Sequence, residues 1–124
     1  MGLYAEVSVA DIGPDELFND EFGVSVLVDY SMAIQGFIDT FMEVATSLCP
    51  VRTGYLCGSI SAGGGGDYAY AEASADYAQY VEYGTSRMGA QPFFEPALEA
   101  ALGVLGELAQ EAMNEAQQML EDIV

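Results

Sequence analysis

From Tyr4 to Ala10 polar and apolar positions alternate: Tyr4, Glu6 and Ser8 face one way, Ala5, Val7 and Val9 the other. A period of two predicts a half-buried strand. The following stretch, DIGPDELFNDEFG, breaks that period with Gly13, Pro14 and a cluster of acids, and reads as a loop with room for a helical turn. From about residue 24 to 48 the period lengthens. Leu27, Ile34, Phe37, Ile38, Phe41, Val44, Ala45 and Leu48 recur at threes and fours, with Asp39 and Glu43 on another side, which predicts an amphipathic helix ended by Pro50.

Two strands, Tyr55 to Ala62 and Asp67 to Ser74, are expected around the GGGG tip at 63–66. The second places Tyr68, Tyr70, Glu72 and Ser74 on one face and three alanines on the other, a flat surface on which a helix can pack closely. Asp76 with Gln79 suits the start of a short helix over Tyr77 to Tyr83, and Gly84 supplies a positive-φ residue at its end. Tyr77, Tyr80 and Tyr83 then share a face, which reads as core or interface packing before any ligand platform. Pro96 fits the first turn of a final helix, with Glu95 and Glu99 near its positive end. Leu98, Leu102, Leu105, Ala112, Ala116, Met119 and Ile123 carry its apolar stripe, while Glu107, Glu111 and Glu115 repel one another alongside.

These elements describe one α+β domain over 1–124, with a small antiparallel sheet on which a long central helix and a long C-terminal helix pack. Its parts are a strand and loop over 1–23, a helix over 24–48, a hairpin over 55–74, a short helix over 76–84 and the last helix over 95–123. The chain is 52% hydrophobic with a mean hydropathy of +0.22, yet carries 20 carboxylates against two arginines, a net charge of −18. So much apolar surface in so acidic a chain points to a subunit interface. No apolar run approaches the about 18 residues of a membrane span, and the N-terminus lacks a signal-peptide pattern, so the expectation is a soluble protein of a cytoplasm. There, Cys49 and Cys57 read as free, packed thiols rather than a disulfide.

The charge works against specific DNA or RNA binding. It leaves three uses for the carboxylates: solubility in a salty cytoplasm, mimicry of DNA, or the wall of a passage that nucleic acid slides through. The chain has no histidine, lysine or tryptophan. Its serine, threonine and cysteine side chains therefore lack an evident activating base, GGGG lacks the features of a phosphate loop, and metal binding along Glu107–Glu115 is at most adventitious. No catalytic site, metal or cofactor is expected.

Two segments carry more. "CPVRTGYLCGSI" (49–60) and "DYAQYVEYGTSRMGAQPFFEPALEAA" (76–101) resemble the two hallmark motifs of phage neck or tail-completion proteins, the minor tail components of Hong Kong 97-type siphophages. Pro50, Thr53, Gly54, Leu56, Ser59 and Ile60 fit the first; Tyr77, Ala78, Tyr80, Glu82, Tyr83, Gly84, Thr85, Ala90, Pro92, Phe93, Pro96 and Ala97 fit the second. Arg52 stands where the family is often acidic, and Tyr55 and Cys57 where a basic residue is common. The resemblance covers roughly residues 25–115. It implies a virion protein of a tailed virus, assembled in the host cytoplasm, that forms a homo-oligomeric ring, six-fold by the resemblance, at the head-tail junction. Its neighbours are other connector and tail proteins, no membrane is involved, and genomic DNA passes without specific binding.

A tail-terminator ring and an acidic DNA-mimic inhibitor are the alternatives. Independently of the family, Gln91-Pro92 and Pro96 brace Phe93 and Phe94 into a stiff aromatic arm suited to docking, with plugging of the domain's own core as the competing use. Tyr77, Tyr80, Tyr83, Thr85, Pro92, Phe93 and Phe94 are thus the expected interface. Arg52 and Arg87, each expected beside a carboxylate, would set its register.

Overall fold

The computed structural model describes residues 2–50 and 54–124, and the architecture is α+β. In chain order the elements are β1 (Leu3–Ser8), a single 3-10 turn at Val9–Asp11, β2 (Glu16–Asn19), β3 (Val24–Leu27), α1 (Ser31–Leu48), α2 (Tyr55–Gly58), β4 (Ile60–Gly64), β5 (Tyr68–Ala73), α3 (Ala78–Tyr83) and α4 (Phe94–Ile123). The main sheet is antiparallel in the order β1-β5-β4, with β5 central. A second, two-stranded sheet is the β2–β3 hairpin.

The alternation around β5 works as its residues predict. Ala69, Ala71 and Ala73 are fully buried, and α1 lies on that face. Methyl-sized side chains let the helix approach the sheet closely; any larger residue there would push it off. Ala33, Ile34, Phe37, Phe41 and Ala45 form the inward stripe of α1. The inward stripe of α4 includes Phe94, Ala97, Ala101, Leu105 and Ala109. The two helices pack against each other, and at their crossing Gly36 sits directly under Val104 and Leu108. None of the helices among the described residues is long and apolar enough to cross a membrane.

Residues 16–19, read as loop, form β2, and three boundaries differ from the sequence pattern. Residues 24–27 are not the first turn of the central helix but β3, paired through Val24↔Asn19 to Leu27↔Glu16. The run Val24-Ser25-Val26-Leu27-Val28 is β-branched at every second position, a stiff pattern that suits a strand better than a helix. The helix waits for Asp29, whose Oδ1 accepts the Ser31 N–H at 3.0 Å and is held below the usual carboxylate range by that bond. Residues 55–58 form a helical turn, not a strand, entered through Gly54 at φ +77° and closed where the Ser59 hydroxyl donates to the Leu56 carbonyl at 2.7 Å. Tyr77 rather than Asp76 occupies the N-cap of α3, with no side-chain cap bond there.

The cysteines also differ from expectation: Cys49 and Cys57 form a disulfide, with Cα atoms 5.8 Å apart, tying the exit of α1 to α2. The reading as free thiols rested on a reducing cytoplasm; the turn at 55–58 is what brings the sulfurs together.

Candidate functional site

The short helix α3 sorts its residues sharply. Ala78 and Glu82 face inward, while Tyr77, Tyr80 and Tyr83 are exposed on one side, as their spacing predicts. From Gly84 the chain leaves at φ +79°, where a Cβ would meet the Ala90 nitrogen at 2.8 Å and the Met88 carbonyl oxygen at 3.0 Å, so only glycine fits. The loop beyond it is ordered by its own bonds. The Thr85 N–H donates to the Met88 carbonyl at 2.8 Å, the Arg87 N–H to Thr85 Oγ1 at 3.2 Å, and the Gln91 N–H returns to the Val81 carbonyl at 2.8 Å.

Phe93 and Phe94, expected in the docking arm, are instead core side chains of their own chain, 0% and 5% exposed. Phe94 packs edge-on against Phe41 with ring centroids 5.2 Å apart, and Phe93 packs edge-on against Phe94 at 6.4 Å. The competing use, plugging the domain's own core, is the one the structure shows. Burial of each ring contributes about 1.5–3 kcal/mol. Pro92 remains exposed, and Pro96 is half-buried in the first turn of α4.

What fixes the start of α4 is Glu82, a buried carboxylate only 2% exposed. Its Oε1 accepts the Phe93 and Phe94 N–H groups at 3.0 and 2.8 Å, and its Oε2 accepts the Glu95 N–H at 3.0 Å. A helix leaves four N–H groups unpaired at its N-terminal end. Here Glu82 takes three and the fourth position is Pro96, which has none, so every such donor is accounted for. The negative charge also sits at the positive end of the helix dipole. Sequence reasoning matched Glu82 to the second motif but gave it no role, because its partners lie 11 to 13 residues away. Beside it, the Tyr83 hydroxyl donates to Glu95 Oε1 at 2.8 Å, and that bond pushes the phenol above its ordinary range.

The two segments singled out in the sequence meet in space. An apolar groove of about 260 Å³ takes Pro50 and Leu56 from the first, and Tyr77, Tyr80, Val81, Met88 and Gln91 from the second. Tyr55 lies next to it, its ring 6.1 Å from that of Tyr77. Thr85 and Arg87 are exposed on the loop that supplies Met88 and Gln91 to it. Arg52 and Thr53 lie outside the described residues. Arg87 departs from expectation: among the described residues it is the one cationic side chain, and no carboxylate of theirs lies within 4.0 Å of its guanidinium.

A second polar-aromatic surface covers the outer face of the main sheet. Across β1 and β5, Tyr4 is opposite Glu72 and Tyr70 opposite Glu6, a checkerboard in which Tyr4 stacks on Tyr70 at 6.1 Å. The Tyr4 hydroxyl donates to Glu6 Oε2 at 2.7 Å, and this bond chiefly pushes its pKa up to about 12. Among the described residues no group of three or more potential ligands is placed to hold a metal ion. The geometry thus leaves an apolar groove exposed beside a loop ordered by its own hydrogen bonds, on which Arg87 makes no ion pair with the described residues. No protein-family model, curated protein or solved structure matches the chain.

Proposed function

We propose that the protein is a structural subunit of a tailed virus, forming a homo-oligomeric ring in the head-tail connector through which DNA passes. The observation that carries this reading is the convergence of Pro50 and Leu56 with Tyr77, Tyr80, Val81, Met88 and Gln91 on one exposed groove. In the resemblance described above these segments are the hallmarks of neck and tail-completion proteins, and here their outward residues build a single docking surface while their inward residues, Leu56, Glu82, Phe93 and Phe94, lock it to the core. Exposed tyrosines suit such a role, since their rings bury large area on docking at a small loss of freedom and their hydroxyls keep them wettable before it.

The net charge of −18 supports the passage. A wall of carboxylates repels the phosphate backbone and keeps a moving duplex from adhering. It also makes the copies repel one another, and that repulsion is screened when the Debye length falls from about 10 Å at 0.1 M salt to about 3 Å at 1 M. A ring of this chain therefore closes more readily at high salt. Mass measurement on the purified protein at both salt concentrations tests the reading. A closed multiple of the 13.2 kDa chain that grows in population with salt is expected. A monomer throughout, or one that binds a nuclease or polymerase tightly, refutes the ring and favours a DNA mimic. Imaging of the assembled particle then locates the ring.

A further inference from the structure

Arg87, on the loop beside the groove, makes no ion pair with the described residues and offers a local counter-charge to an acidic segment. The chain itself carries a matching piece. The β2–β3 hairpin packs one face on α4 through Leu17 and Val26, while its other face, bearing Glu16, Phe18 and Leu27, is open to solvent. Phe18 and Phe22 are 54% and 58% exposed, unusual for phenylalanine in a stable fold. The tip between the strands is Asp20-Glu21-Phe22-Gly23, and it is preformed. The Phe22 N–H donates to Asn19 Oδ1 at 3.2 Å, the Gly23 N–H to the Asn19 carbonyl at 2.9 Å, and Gly23 takes φ +66°.

We propose that this hairpin of one copy docks into the groove of the next, seating Phe18 and Phe22 against Tyr77, Tyr80 and Met88 and placing Asp20 and Glu21 beside Arg87. The inference rests on the ring reading and supplies its contact. Local charge complementarity favours this occupant, since Arg87 offers Asp20 and Glu21 a counter-charge at close range while the long-range repulsion between copies is screened by salt. None of the hairpin's residues lines the groove of its own chain. Gly13, just before the hairpin, packs against Met113, which lies about 28 Å along α4 from the groove end of that helix at 1.5 Å per residue. Two different patches at separated sites make a head-to-tail contact, and such contacts close into rings when the rotation permits.

The test uses the full chain with its disulfide intact and reads mass by sedimentation and native mass spectrometry. Phe18→Ser with Phe22→Ser, or Tyr80→Glu alone, is expected to abolish the ring. The two variants mixed are expected to give a one-to-one dimer and nothing larger, because each retains one half of the contact; that dimer also proves both chains folded. Arg87→Glu, and separately Asp20→Lys with Glu21→Lys, are expected to raise the concentration needed for assembly at least tenfold, and the charge-swapped combination to restore it. If the hairpin variant still forms a ring of wild-type mass, or the mixture forms no dimer, the hairpin contact is wrong while the ring stands. If the wild-type chain is monomeric at every salt concentration, both the contact and the ring reading fall.

Discussion

Replacing Glu82 tests the central structural device, because one carboxylate holds the start of the longest helix. Loss of a capping side chain costs about 0.5–2 kcal/mol where it satisfies a single N–H. Hydrogen bonds to charged acceptors contribute about 1.5–3 kcal/mol each, so three taken singly reach roughly 5–9 kcal/mol. They do not add, since they share one group, and truncation also relieves the desolvation of a buried charge, itself several kcal/mol. Glu82→Ala should therefore destabilise by about 3 kcal/mol.

Glu82→Gln separates the parts of that figure. A glutamine keeps an oxygen for the Phe93 and Phe94 N–H groups but turns an amide NH2 toward the Glu95 N–H, a donor against a donor. Its cost should be about 1–2 kcal/mol, with fast amide exchange confined to Glu95. Urea unfolding at fixed protein concentration, with an unchanged slope against denaturant, gives both numbers; the concentration matters because any assembly adds to the apparent stability. If both variants fall within about 0.5 kcal/mol of wild type, the carboxylate is not what secures α4. If Gln costs as much as Ala, the division of bonds between the two oxygens is wrong.

Three further perturbations probe the surroundings. Gly84→Ala should cost about 1–3 kcal/mol, because φ +79° and the contacts with Ala90 and Met88 leave a Cβ nowhere to go; a midpoint unchanged in urea refutes it. Removing the disulfide by Cys49→Ser with Cys57→Ser should lower stability by about 2–3 kcal/mol, the chain-entropy value for a separation of eight, and equal unfolding midpoints for oxidised and reduced protein would contradict this. Tyr4, whose pKa is raised from 10.0 to about 12, binds its proton more tightly folded than unfolded. Its contribution is thus fully present below pH 10 and lost as pH rises from there toward 12. Titration of tyrosinate absorbance should show a late step that Tyr4→Phe removes; a wild-type curve without it sinks the Tyr4–Glu6 assignment.

The long elements were legible in the residue pattern because burial imposes its period directly. Ala69, Ala71 and Ala73 announced a face for a helix, and the threes and fours of Phe37, Phe41 and Ala45 announced the helix. The β2–β3 hairpin was not legible. Its strands are four residues long, Phe18 and Leu27 point to solvent, and the acids around them look like loop. Glu82 and the disulfide are both matters of pairing across space. One carboxylate among 20 gives no sign that three N–H groups converge on it, and a spacing of eight between cysteines is compatible with many turns. The groove was half legible. Both its segments stood out, but that they share one pocket depends on α2 being a helical turn, which the strand reading of Tyr55–Ala62 concealed.

The inward turn of Phe93 and Phe94 changes what the docking surface is made of. Were the phenyl rings outside, the free subunit would expose two side chains with no polar atom and would associate with any apolar surface in reach. With them inside, braced on Phe41 and fixed by Glu82, the same segment presents Tyr77, Tyr80 and Tyr83, whose hydroxyls water can satisfy until a partner arrives. The rigid core contact and the exposed tyrosines are thus two sides of one helix-loop unit: each inward residue that stabilises the fold also holds an outward one in place. In the proposed ring, docking then costs little ordering, since the loop from Gly84 to Gln91 is already bonded to itself and to Val81.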